Sequence, residues 1–524
     1  MYPLEKIYSQ LMKSGFSRPS DKTIKKLGML IDLSTDLRKE EGFHHAIKHA
    51  SKLLSAKISN WQKGVLYYFI ANAWEGLRLL KHTNDAAIWD WHQEEIKKAI
   101  FNYRLCNQYL NNCDDPSYLC HSNTNLGNVF NTLGRFVEAI EFWNKALALR
   151  DTFSMAIVNK GYGLYTYSRF LYDPGHQEVF LKYAYKLLKH GLKGNDIHES
   201  ARKSFENVAA YIEAGFKKEY LESEFILKEF ALGKTIAEKN YKKWCLQNCL
   251  FLNPLNDLGP FSIAGRDILH CPSITMHISE HDSPNPPVYF TFYNQLKQEY
   301  VSARFLLYES MKSNKPHYSD RGVLMYNTLD YPCYGLNIEK CRLVFRTIYS
   351  LFDKIAFFLN TYLRLCIPER QISFRKIWYK NPKSPKDGLA DKFINLQNWP
   401  FRGLYWLSKD LSEQGTDFAD AIEPDAQNLV KIRNYIEHKY LTLHQIDLSN
   451  LIEREVKDVT YPVYFEDFAD KTLRIVKLAR AALIYLSLGI HIEEKKKHTT
   501  SNGKPKIIGQ MPLSIWEDSW KTHF

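Results

Sequence analysis

The chain has 524 residues, 45% of them hydrophobic and 24% charged, with a net charge of +12. That length carries roughly two to four domains with ample core, and the composition excludes a disordered or fibrous chain. The basic excess suits an acidic partner such as RNA without requiring one.

Aromatic residues are abundant while glycine and proline are scarce, which favours packed helices over a loop-rich β chain. Nine scattered cysteines lack paired zinc-finger spacing and read as reduced thiols. The N-terminus lacks a signal-peptide apolar region, and the apolar runs near Ile355–Leu359 and Ala481–Ile490 are too short or too interrupted to span a bilayer. The expected setting is the cytoplasm, with no membrane.

Residues 1–230 read almost wholly as helix. Asn123, Leu126, Gly127 and Phe130, followed by Ala139, Trp143 and Ala146, have the spacing of a tetratricopeptide repeat. Small residues fall where two helices must approach, and aromatics where they wedge. Gly161 and Leu164 repeat Gly127 and Phe130 one repeat length later. Tyr67, Ile70, Ala71 and Trp74 resemble a first helix, with Ala99, Tyr103 and Cys106 in its second. An oversized loop near Thr83–Gln93 separates them, and His45–Leu53 reads as a further second helix. A stacked helical-hairpin array follows, offering a surface to a peptide or protein partner.

Residues 231–288 are turn-rich, as in Asn253–Pro260, and are expected to form an ordered connector. Residues 289–490 return to long helices, expected at Val288–Ser313, Asn337–Leu365, Trp399–Glu413, Pro424–Leu441 and Glu466–Leu488. Residues 491–524 form a charged, flexible linker followed by a tail, Ile507–Phe524, apolar enough to dock. In the second long helix, Arg346, Ser350, Asp353, Asn360 and Arg364 make one polar stripe through an apolar segment, expected to need buried partners. After it, Arg375, Lys376, Lys380, Lys383 and Lys386, interleaved with Trp378 and Tyr379, form an irregular basic loop. The cations could neutralise phosphates while the two rings stack on bases.

The decisive stretch is Arg433-Asn434-Tyr435-Ile436-Glu437-His438. On a helix, Leu429, Ile432, Ile436 and Tyr440 make the buried side. Asn434 and His438 then share the opposite face, and Glu437 can pair with Arg433. A histidine passes protons near neutral pH, and an arginine grips phosphate in two places. The similar spacing at Arg38…His44/His45 is what 18 scattered histidines produce by accident. No GxxxxGK[ST] phosphate loop occurs, and paired acidic metal ligands are hard to find, so neither a cofactor nor a metal is expected.

This motif, with the runs Leu351–Asn360 and Asn398–Leu407, resembles the HEPN superfamily of helical ribonucleases and toxins, and within it the LA2681-like group, in which repeats precede the bundle. The resemblance implies an all-α protein, a repeat array followed by a HEPN bundle, that cleaves RNA without a metal. The ribose 2′-OH attacks the adjacent phosphate, leaving 2′,3′-cyclic phosphate and 5′-OH ends. In that scheme His438 is the general acid/base and Arg433 stabilises the transition state. Asn434 positions phosphate or histidine, and Asp353 orients Arg433 or His438. The family commonly builds one composite site from two motifs. No second motif is identified in this chain, so a homodimer is implied. RNA, tRNA among the candidates, is the expected substrate, in a toxin or antiphage setting. The competing expectation is an inactive binding and dimerisation scaffold.

Overall fold

The computed structural model describes residues 3–16, 18–83, 89–275, 287–312, 315–411, 423, 426–445, 460–499 and 511–521. The N-terminal half is a succession of helices: α1 (Pro3–Met12), α2 (Asp21–Asp36), α3 (Glu40–Leu54), α4 (Asn60–Lys81), α5 (Glu94–Leu110), α6 (Ser117–Thr132), α7 (Phe136–Leu149), α8 (Ser154–Ser168), α9 (Pro174–Gly191), α10 (Glu199–Gly215) and α11 (Lys218–Glu222). Consecutive helices pack as hairpins, α2 with α3, α4 with α5, α6 with α7 and α8 with α9. Trp143 explains the repeat glycine Gly127 and its unexpected neighbour Gly163, whereas the expected Gly161 packs on Leu188 of α9. A Cβ on Gly127 would lie 2.6 Å from its indole nitrogen, and one on Gly163 would lie 2.2 Å from its ring. The small residues are there because one indole fills the space between two hairpins.

The connector is less irregular than its composition suggested. It holds α12 (Ile236–Gln247), then tight turns at Pro254–Asp257 and Ser262–Ala264. Its polar residues are buried anchors. Asp257 accepts from Arg480 at 2.6 Å and from Tyr167 at 3.3 Å, and Asp267 takes both terminal nitrogens of Arg304 at 2.8 Å.

The C-terminal half contains α13 (Val288–Lys312), α14 (Leu336–Tyr362), the short α15 (Asp391–Ile394), α16 (Trp399–Ser408), α17 (Ala426–His438) and α18 (Phe465–Thr499). Two five-residue strands, β1 (Tyr440–His444) and β2 (Thr460–Tyr464), pair in parallel with Tyr440 opposite Thr460. The class remains all-α. The long helix α14 stops where Arg364 turns left-handed (φ 53°), so Arg364 lies beyond the stripe it was expected to extend. Pro424, Asp425, Ser412, Glu413 and residues 500–510 lie outside the described residues. The tail does not dock as expected, since residues 511–521 are exposed throughout. The helix Phe465–Lys497 is long and apolar enough to cross a membrane, but 83% of its apolar window is buried inside the protein.

One continuous hydrophobic core runs from Ala71 to Ile490 and joins the array to the bundle. Helix α16 is the key piece. Trp399 donates its indole N–H to Asn131 O at 3.0 Å, and Arg402 reaches Asp90 O at 2.8 Å. A Cβ on Gly403 would sit 2.5 Å from Gly134 O, so helix and loop meet backbone to backbone. Below it, Asp410 takes Arg104 at 2.7 Å and Arg135 at 2.6 Å, all three buried. The two guanidiniums hold the Asp410 carboxyl well below the usual carboxylate range despite burial, which alone would raise it. This ionic seam walls a cavity of about 500 Å³ between α5, α7 and α18.

Candidate active site on the motif helix

Helix α17 forms because Leu429, Ile432 and Ile436 recur on one side and bury against α14 and the neighbouring elements. It ends at His438, earlier than expected. Tyr440 is 70% exposed and begins β1 instead of extending the buried side. The apolar sequence Tyr440-Leu441-Thr442-Leu443 alternates, and alternation fits a strand better than one more helical turn.

Asn434 and His438 are both exposed, on the face opposite Leu429, Ile432 and Ile436. Arg433 is half-buried, with its guanidinium carbon 5.9 Å from the centroid of the Tyr349 ring. It does not pair with Glu437. That carboxylate lies 3.6 Å from Arg346 Nε, and Arg346 also donates to Ile436 O. Arg346 therefore caps the C-terminal end of α17, where free carbonyls and the helix dipole favour a cation. This leaves Arg433 without a hydrogen bond or ion pair among the described residues.

The polar stripe of α14 is not a buried seam. Arg346, Ser350 and Asp353 are exposed and Asn360 is half-buried. Asp353 accepts from Phe374 N at 2.9 Å, and Asn360 grips Ile367 through both amide atoms at 3.1 Å, so these two residues hold the segment after α14. Asp353 makes no hydrogen bond or ion pair to Arg433, but it feels that charge. Although exposed, it is recessed among protein that pushes its carboxyl up, against the pull of Arg433, Arg375 and Lys376. Burial pushes the Tyr349 hydroxyl up, against the charges of Arg433, Arg375 and Arg474 of α18, and that hydroxyl has no hydrogen-bond partner.

The basic loop splits in two. Arg375 and Lys376 join this electrostatic neighbourhood. Lys380 turns to Asp391 at 2.9 Å, and Lys383 and Lys386 are exposed around the turn at Pro385–Asp387. The expected stacking rings are buried: Trp378 donates to Phe374 O at 2.7 Å and packs among Trp91, Phe393 and Tyr405. Tyr379 is buried too, beside Lys409. An aromatic next to a lysine in sequence carries no signal of which one faces water.

This geometry sits within one recognised stretch of sequence. Residues 280–493 match the LA2681-like HEPN family model. The matched stretch covers the bundle from before α13 into α18 and leaves the helical array outside it. No curated protein and no solved structure matches the chain. Within the matched stretch, the sequence did not point to Tyr349, Arg474 or the capping role of Arg346. Tyr349 lies between Arg346 and Asp353 on α14, and that position was the available signal.

Proposed function

We propose that the protein is a metal-independent endoribonuclease whose active residues are Arg433, Asn434 and His438. The observation that carries this reading is the exposed pairing of Asn434 and His438 beside an arginine whose guanidinium is not spent on an ion pair, within a HEPN-matching bundle. His438 would take the proton of the ribose 2′-OH as its oxygen bonds to phosphorus. A second His438, from a homodimer partner, would give a proton to the departing 5′-oxygen as the P–O bond breaks. Arg433 would neutralise charge on the phosphorane-like transition state. Asn434 would position phosphate or histidine. Asp353, with Arg375 and Lys376, would tune the field around Arg433 rather than hold it directly. Lys380, Lys383 and Lys386 would contribute phosphate contacts further out. The array would receive a peptide or protein partner, and the setting would be a cytoplasmic toxin or antiphage effector.

A second reading is an inactive scaffold for binding and dimerisation. It is favoured by the way Arg346, Asp353 and Asn360 are engaged in holding backbone. Incubating wild type and His438→Ala with total RNA and tRNA in EDTA, then analysing fragment ends, separates the two. The ribonuclease gives cyclic-phosphate ends from wild type alone. Equal cleavage by both proteins removes the site assignment, and intact RNA with partner binding retained in Arg433→Ala and His438→Ala supports the scaffold.

A further inference from the structure

Four exposed, unpaired tyrosines, three in the segment before α14 and one just past α17, are not used by the reading above. Residues 321–334 run across the surface before α14, and Tyr326 is 95%, Tyr331 72% and Tyr334 55% exposed. Tyr440, two residues past His438, is 70% exposed. Among the described residues, none of these four rings stacks on another ring, and none of the four hydroxyls has a hydrogen-bond partner.

The segment is tied down. Cys333 N donates to Leu443 O at 2.6 Å, and Pro332 pairs antiparallel with His444. Asp320 accepts from Leu336 N at 3.2 Å, fixing the other end against α14. Tyr334 directly follows Cys333, whose bond to Leu443 O sets this segment alongside β1, the strand that Tyr440 begins. Tyr331 and Leu329 have left-handed backbones (φ 53° and 65°), unusual for side chains of their size.

Free tyrosine faces suit flat, apolar-faced ligands, and the charge nearby narrows the class. From 426 to 445 the chain carries Lys431, Arg433 and Lys439 against Glu437 alone. Arg342, paired with Glu339, and Arg346, beside Glu437, border the same end, and Arg342 also donates to Leu441 O at 2.7 Å. Cations beside unpaired rings are the arrangement that holds single-stranded nucleic acid, because phosphate and base are met separately. A duplex hides its base faces and gains nothing from the rings.

We propose that Tyr334 and Tyr440 form a base-stacking platform that leads single-stranded RNA to His438, with Tyr331 and Tyr326 extending it. This rests on the ribonuclease reading only for the occupant; the platform is tested by binding. The experiment uses the full chain carrying His438→Ala and measures fluorescence anisotropy with a labelled 12-nucleotide single strand and with the same strand in duplex. Adding Tyr334→Ala or Tyr440→Ala is expected to weaken single-strand binding about tenfold, with little effect on the duplex. Tyr334→Phe and Tyr440→Phe keep a ring and are expected to bind like the parent. Alanine variants that bind like the parent, phenylalanine variants that fall as far as alanine, or a parent that binds no RNA would each overturn the platform. So would a loss accompanied by dissociation to monomer in sedimentation, which would assign the tyrosines to a second copy. Undiminished RNA binding with cleavage by wild type ends the platform and leaves the ribonuclease. Tyrosine-dependent binding by a chain that never cleaves does the reverse.

Discussion

Arg433 of the motif helix rests over the ring of Tyr349, 5.9 Å from its centroid, and that ring is also approached by the charges of Arg375 and Arg474. An aromatic face attracts one guanidinium and holds its plane. Arg474 is paired with Glu423, but Arg433 has no ion pair among the described residues, so its charge is the one an incoming phosphate can meet.

The stacking sets the first prediction. Arg433→Lys keeps the charge but loses the plane and the two-pronged grip, so cleavage is expected to fall at least tenfold with a melting temperature near that of wild type. Steady-state cleavage beside a thermal melt checks both halves.

Tyr349→Phe removes the buried hydroxyl that has no hydrogen-bond partner. An unsatisfied buried group costs roughly 1–3 kcal/mol, so this variant is expected to be more stable than wild type in urea unfolding. The ring under Arg433 stays, and so should cleavage.

His444 offers the same test in the small sheet. It is 2% exposed, and neither ring nitrogen finds a partner. His444→Leu keeps an apolar body and is expected to stabilise the fold by about 1 kcal/mol or more, read from the urea midpoint. A lower midpoint would mean that the imidazole holds an internal water.

The ionic seam carries a pH signature. The native carboxyl of Asp410 is held below its unfolded value, so its contribution is complete above about pH 4 and fades as pH falls through the lower native value. Asp410→Asn leaves Arg104 and Arg135 short of their shared partner, which for a buried pair costs about 3–5 kcal/mol at neutral pH. The variant's stability is expected to depend less on pH below 4 than that of wild type. Parallel denaturation series at pH 7 and pH 3 measure it.

Much of this arrangement was legible because it is periodic. Leu429, Ile432 and Ile436 announce the buried side of α17, and so announce that Asn434 and His438 face out. Gly127 and Trp143 mark a hairpin because an indole needs a neighbour without a Cβ. The failures are not periodic. Tyr440 continues an apolar pattern that a helix and a strand read equally well, so the turn into β1 went unseen. Trp378 and Tyr379 sit among lysines, and composition alone gave them the wrong side of the surface. Arg346 looked like a seam residue, but its partner is a backbone carbonyl, which leaves no mark in sequence. Arg104 and Asp410 stand 306 residues apart, and no local pattern joins them.

That last contact bears on how the protein can be dissected. The stretch matched at 280–493 has an inner wall made partly of array residues. Cut free, it would uncover the sides of Trp399 and Tyr405 that meet Trp89, Asn131, Trp91 and His92, and leave Asp410 without both of its arginines. Such a fragment should be sticky and short-lived when expressed by itself, and soluble when the two halves are made together as separate chains. The array is thus part of the bundle's own core as well as a surface that a partner could meet.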